Sequence, residues 1–349
     1  MSVSKQLRFS VWAKPVLALL SILLACSTSS GWDNKFNNTE DNKLMEQYYI
    51  GRFTIAIPAD MHEAQGSRSH QLRRVELDEK TWPDGISHEK ARETEWNKFM
   101  AKIKEIPSIE GKHNTIIKMQ DFPGVGEWSK GVFYHNNNDS KDEGTWRLLI
   151  DSGHTAVWLK GRSVLVEKEN NSNVMAKNIS NIGKSYKYID SSPPRPKGDW
   201  FFLKYGAIKL PYSWQEKTDI RFEGHPLNLT LRIKMDMDAG RNRPQFGLFE
   251  KASAVIESGY ASAANVSIKK IRSQKREVAG MPGEELINRI TDKDKTTLSF
   301  GWEYVGKNDS GEYPTTRITM DSHDGNLGEK EKIWDAVLDS MKPMFERKK

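Results

Sequence analysis

The chain has a single cysteine, Cys26, so it can form no internal disulfide, and that thiol must be buried, free or used. Its eight histidines never fall in a His-x3-His or HExxH pattern, so the sequence offers no transition-metal site. Asp236, Asp238 and Gly240 begin like a calcium loop, but the later acidic ligand is missing, with Gly247 and Phe249 in that region. The chain also lacks a GxSxG elbow, a phosphate-cradling GxxxxGK[ST] loop and a GxGxxG run, so these give no support for a serine hydrolase, a nucleotide hydrolase or a dinucleotide enzyme. Asp151-Ser152-Gly153-His154 holds triad-like residue types, but crowded into one tetrapeptide they suit a turn between strands. Charge of one sign is scarce: residues 41–190 hold 22 basic and 22 acidic side chains, and residues 191–349 hold 27 and 23. That balance leaves no electrostatic footprint for nucleic acid. Nothing after the first 25 residues is apolar for the roughly 20 positions a spanning helix needs.

What is present begins at the N-terminus. Lys5, Arg8 and Lys14 precede an apolar run from Val16 to Ala25, and Cys26 ends it. A short apolar core behind a basic leader reads as an export signal. Leu23, Leu24 and Ala25 before the cysteine resemble the lipobox of bacterial lipoproteins, in which the thiol is acylated and the peptide is cut before it. Residues 1–25 are therefore expected to be a lipoprotein signal peptide, with Cys26 as the lipidation site. Several acyl chains anchor a protein firmly where one is marginal. Residues 26–45 are polar, without periodicity, and read as a flexible tether.

Beyond the tether the pattern is α+β. Phe53, Ile55 and Ile57 alternate with Arg52, Thr54 and Ala56 up to Pro58, which predicts a half-buried strand. Trp96, Phe99, Met100 and Ile103 place one apolar face on a helix from about Ser87 to Glu105. Strands are expected around Ile116–Met119 and near 128–134, 145–151 and 155–160, with a turn at Phe122-Pro123-Gly124. A helix carrying Met175, Ile179, Ile182 and Tyr186 follows. The proline-rich stretch 191–199 then reads as a stiff linker. After it the order returns: a strand ending at Pro211, a helix around 245–258 with Phe249, Ala252 and Ile256 on one side, and a strand with Ile268 and Ile271. A turn at Met281-Pro282-Gly283, strands near 297–305 and 315–320, and a helix carrying Ile333, Trp334, Val337, Leu338 and Met341 complete it. Equivalent prolines lie 153 residues apart (Pro58, Pro211) and 159 apart (Pro123, Pro282). The expectation is two similar tandem modules, 46–190 and 200–349, each a mainly antiparallel sheet with helices packed on one face.

The most distinctive stretch is Ala279-Gly280-Met281-Pro282-Gly283-Glu284-Glu285. Pro282-Gly283 fits a type II turn, with glycine at the position that needs positive φ. The segment resembles the Gly-x-Pro-Gly-Glu-Glu signature of immunity proteins paired with type VI secretion lipase effectors. The leader, the strand running from Gly51-Arg52-Phe53 to Pro58, the two-module length and the Trp334-Asp335 helix agree with that family. The first module has only one glutamate in its counterpart, Phe122-Pro123-Gly124-Val125-Gly126-Glu127, so the paired acids are not carried back to it.

The resemblance implies a periplasmic protein that binds an antibacterial phospholipase and occludes it, with no cofactor, no small-molecule substrate and no catalytic residue of its own. Its partners are then the cognate lipase effector and, through the lipid anchor, a membrane. Ser27 leans toward the outer membrane by analogy with lipoproteins, the inner membrane being the alternative. Arg241, Arg243 and Phe246 in the 236–246 loop, with Glu284 and Glu285, are the residues expected to meet the partner; arginine and aromatic side chains dominate binding hot spots. The basic run Lys269, Lys270, Arg272, Lys275 and Arg276 fits steering of an acidic partner, contact with anionic headgroups, or a solvated face. An envelope lipoprotein with a structural role and a hydrolase using carboxylates are the competing classes.

Overall fold

The computed structural model describes residues 45–106, 115–135, 143–164, 170–189, 195–212, 215–236, 246–258, 266–307 and 311–347. The first run of elements is β1 (Met45–Ile50), β2 (Phe53–Pro58), β3 (His62–Glu63), β4 (Ser69–Leu72), β5 (Val75–Thr81), α1 (His88–Lys104), β6 (Ile116–Asp121), β7 (Trp128–Tyr134), β8 (Glu143–Asp151), β9 (Thr155–Val164), α2 (Asn170–Ser185) and β10 (Tyr186–Tyr188). The second is β11 (Trp200–Phe202), β12 (Gly206–Lys209), β13 (Glu216–Glu223), β14 (Thr230–Asp236), α3 (Leu248–Glu257), β15 (Val266–Val278), β16 (Met281–Asp292), β17 (Lys295–Tyr304), β18 (Thr315–His323), α4 (Leu327–Ser340) and β19 (Lys342–Pro343).

Local chemistry accounts for the helices. Ser87 caps α1, its hydroxyl accepting the Lys90 N–H at 3.4 Å, and Glu89 in the first turn and Lys102 and Lys104 in the last complement the helix dipole. Trp96, Met100 and Ile103 form its buried face. On α4 the apolar spacing buries Trp334, Val337 and Leu338.

The fold is α+β, and its sheets are antiparallel, as the alternating strands predict. Thirteen of the strands, however, form one sheet across both halves. Its path is β15-β16-β17-β18-β14-β13-β4-β5-β9-β8-β7-β6, with β3 added beside β13. Each half repeats the same order outward from the seam: β4-β5-β9-β8-β7-β6 on one side, β13-β14-β18-β17-β16-β15 on the other. The seam is the antiparallel pair β4·β13, which sets Ser69–Leu72 opposite Glu216–Asp219.

Two expectations are corrected. Helices lie on both faces of the sheet, not one. In β8, Trp146, Leu148 and Ile150 point to the α2 side, while Leu149 points to the α1 side with Ala156 and Trp158 of β9. A strand apolar at successive positions needs a cover on each face, and α1 and α2 supply them.

The division at 191–199 is also crossed twice. The β1–β2 hairpin packs on the second half: Phe53, Ile55 and Ile57 share a core with Ile233, Trp302, Ile318, Trp334 and Leu338. The β11–β12 hairpin packs on the first, where Phe201, Leu203 and Ile208 join Val75, Trp146, Ile150 and Ile179. Two small sheets, β1-β2-β19 and β10-β12-β11, complete this exchange. The hairpins touch where Gly51 and Phe202 trade backbone hydrogen bonds of 3.1 and 2.6 Å. Each half therefore completes its core with a hairpin contributed from the other side of the linker.

Candidate partner-binding surface

The distinctive stretch forms the tip and second strand of the β15–β16 hairpin. Val278 pairs with Met281, so the turn is Ala279-Gly280, with φ of 52° and 71°. A two-residue hairpin with both central residues at positive φ matches the twist of its strands. The type II turn expected at Pro282-Gly283 is not there: Pro282 opposes Glu277 and Gly283 opposes Arg276 within the strand pair. Proline, held near −65°, cannot supply the left-handed residue this turn requires. Gly283 serves close packing, since a Cβ there would lie 2.6 Å from the Trp302 ring and 2.7 Å from the Glu303 carbonyl. The Trp302 indole N–H donates to the Arg276 carbonyl at 2.9 Å.

Adjacent strand residues face opposite sides, which divides the work of the two glutamates. Glu284 faces α3 and accepts the Phe249 N–H at 2.8 Å. The α3 N-cap is Gly247, which has no side chain to cap with, so Glu284 supplies the acceptor from the sheet. Glu285 faces α4 and is 0% exposed. Its Oε1 accepts the Trp334 indole N–H at 2.8 Å, and its Oε2 accepts the Gln274 amide at 2.7 Å. Arg272 and Arg276 approach it at 3.2 and 3.4 Å and also reach Asp335 at 2.8 and 2.5 Å. Arg272 further pairs with Glu331, and Arg276 with Asp339. Partial burial opposes the charge on Asp335, but hydrogen bonds from Arg276 and Arg272 prevail and hold its carboxyl below the usual range. Enclosed in this way, Glu285 joins β15, β16 and α4 and has no surface to offer a partner.

Among the described residues, the α3 side is open. Leu248, Phe249, Ala252, Val255 and Ile256 face Ile268, Leu286, Ile290 and Gly301 across a groove of about 180 Å³. Glu303 lines this groove and is held by Lys251 and, at 2.9 Å, by Arg317. The topologically equivalent place in the first half is filled. There α1 seats Trp96 and Phe99 against Trp158, with Phe99 4.7 Å and Trp96 6.3 Å from its ring. The second half has a ten-residue helix with one buried residue, Val255, in place of a 17-residue one with four. Phe246, just before the α3 cap, is 37% exposed, and Ile256 is 58% exposed. Arg241, Arg243 and Cys26 lie outside the described residues.

Asp151–His154 is the expected turn. The Ser152 hydroxyl accepts the Thr155 N–H at 3.2 Å, and Asp151 Oδ1 accepts the Gly153 N–H at 2.9 Å. Asp151 also receives Trp82 and Arg92 at 3.1 and 3.0 Å and contacts His88 Nδ1 at 2.8 Å. This ties the start of α1 to the end of β8.

The seam between halves has its own lock, which sequence spacing did not disclose. Arg52 forms a bidentate pair with Glu216 at 2.7 and 2.8 Å, both side chains nearly enclosed. The partners are 164 residues apart, so no local pattern could join them. Alternation in TDIRFE and TLRIKMD would have revealed β13 and β14, but not their place at the centre of the sheet.

Residues 196–344 match the family model described as Tle cognate immunity protein 4 C-terminal domain. No individually curated protein matches the sequence. The fold is similar to the apo structure of immunity protein TplEi of T6SS from Pseudomonas aeruginosa, at 15% identity and a TM-score of 0.68, covering 87% of this chain and 98% of that one. It is similar to a chain in the crystal structure of the Tle4-Tli4 complex, at 15% identity and 0.68 over 87% and 99%. It is also similar to TplEi complexed with "L" peptide, at 16% identity and 0.63 over 87% and 99%. Residues 196–344, the part similar to the Tle cognate immunity protein 4 C-terminal domain, carry the β15–β16 hairpin and the α3 groove.

Proposed function

We propose that the chain is a periplasmic immunity protein that binds a cognate type VI secretion lipase effector and covers its active-site mouth. The observation that carries this reading is the family match of residues 196–344, the half that exposes the α3 groove. It is supported by a fold shared over 87% of the chain with a protein in the Tle4-Tli4 complex. A single sheet running through both halves is a stiff platform, and a stiff platform loses little conformational entropy on binding. Occlusion needs no chemistry from the inhibitor, only a buried interface of at least roughly 1,200 Å². Acylation at Cys26 tethers the chain in the periplasm and raises its local concentration beside the lipid the effector attacks.

The test is export of the lipase encoded beside this chain into the periplasm, with and without the chain. Survival only with the chain supports the reading; equal death in both cases defeats it for that pair. Palmitate labelling of the parent and of Cys26→Ser tests the anchor. Label on the parent alone is expected, and an unlabelled parent refutes acylation.

A further inference from the structure

Among the described residues, no strand pairs with the outer edge of β15, the hairpin strand beside the groove. β15 is the terminal strand of the large sheet and is 13 residues long, roughly 40 Å at about 3.3 Å per residue. At the opposite end β6 has six residues. Proteins blunt free edges by keeping them short or by placing lysine on them. β15 has the lysines without the shortness, and its lysines are unspent. Arg272 and Arg276 are consumed by Glu285, Glu331, Asp335 and Asp339. Lys269, Lys270 and Lys275 are exposed and have no hydrogen-bond or ion-pair partner among the described residues.

Register places this edge against the groove. Ile268, Lys270, Ser273 and Lys275 oppose Ile290, Asn288, Leu286 and Glu284. The first three of those partners line the groove and the fourth holds α3. A bulge at Ile271 splits the edge into Val266–Lys270 and Arg272–Val278, each long enough to pair with a short strand. A strand added outside β15 sets every second side chain beside the groove-side row. Apolar residues there extend over Ile268 and toward Ile256 and Phe246, and acidic residues meet Lys270 and Lys275.

We infer that the β15 edge and the α3 groove form one docking surface, which takes an extended acidic-apolar segment of the effector by strand addition. This rests on the immunity reading and specifies the part of the partner that is gripped. A free backbone edge favours a peptide over an acyl chain, which has no amide groups to pair with it. The three unpartnered lysines select for acidic side chains.

The experiment measures binding of the full chain, in detergent, to the lipase encoded beside it and to twelve-residue peptides tiled along that lipase. One peptide with alternating apolar residues and at least two acids should bind. N-methylation of its alternate amides should abolish binding in one phase and spare it in the other, because only one row of a strand's N–H groups faces its neighbour. The triple variant Lys269→Glu, Lys270→Glu, Lys275→Glu should weaken both peptide and lipase by about tenfold or more, and Ile256→Asp should weaken the peptide. The peptide series leaves the protein unaltered, so it decides the matter even where a variant folds poorly. The inference is overturned if no tiled peptide binds, if both methylation phases bind alike, or if dodecanoate rather than any peptide fills the groove. It also falls alone, leaving immunity standing, if a folded triple variant holds the lipase at unchanged Kd. If the unaltered chain does not bind the lipase, both readings fall together.

Discussion

Removing the Glu285 carboxylate should unfasten α4 from the sheet. In Glu285→Ala the Trp334 N–H and the Gln274 amide lose their acceptors, at 2.8 and 2.7 Å, inside a site with 0% exposure at residue 285. An orphaned buried donor costs about 1–3 kcal/mol. Breaking a buried charge pair by removing one partner costs about 3–5 kcal/mol. The second figure is moderated here, because Arg272 and Arg276 keep Asp335, with Glu331 and Asp339 as further partners. A net loss of about 4 kcal/mol is expected for Glu285→Ala, within the range for broken buried networks. Glu285→Gln keeps the volume and one carbonyl acceptor and should lose about half as much. Urea unfolding followed by tryptophan fluorescence reads this directly: at about 3 kcal/mol/M or more for a chain of this size, the midpoint should fall by roughly 1 M. A double-mutant cycle with Trp334→Phe isolates the shared hydrogen bond and should show coupling of about 1 kcal/mol. A loss below about 1 kcal/mol for Glu285→Ala, or no coupling with Trp334, would refute the account of this network.

The two Pro-Gly pairs should respond to alanine for different reasons. Gly283→Ala drives a methyl into the Trp302 ring and should cost about 1–3 kcal/mol with altered tryptophan emission. Gly124→Ala meets open space but keeps a φ of 74°, so it should cost about 1 kcal/mol and leave emission unchanged; equal emission changes would defeat the distinction. Burial raises the Asp321 carboxyl to about 6, a hydrogen bond from Ser299 opposing it. The folded chain therefore holds a proton that the unfolded chain releases near pH 3.8. This contribution to stability is full below about pH 4 and is lost as pH rises through about 6. Asp321→Asn should add up to about 3 kcal/mol at pH 7 and little at pH 4. Urea midpoints across pH 4–7 check this, and equal gains at both ends would contradict it.

How much could be read beforehand differs by element. α1 was legible almost to the residue, because Ser87 signals a start and Trp96, Met100 and Ile103 keep helical spacing. The Phe249, Ala252 and Ile256 side of α3 was legible too, and it lines the groove. Pro282-Gly283 misled, because the pair that favours a turn elsewhere is used here to admit an indole. The paired acids were visible as a signature, but only strand alternation in the folded sheet turns one toward α3 and encloses the other.

The sequence by itself determined the α+β class, the buried faces of α1, α2 and α4 and the repeated order of elements, because hydrophobic period reports which side of an element leaves water. It did not determine what each buried side packs against. The exchange of hairpins between halves, the β4·β13 seam, the enclosure of Glu285 and the open groove were decided by the tertiary structure. Contacts such as Arg52 with Glu216 join residues 164 positions apart, and nothing in a local pattern encodes which distant partner closes a core.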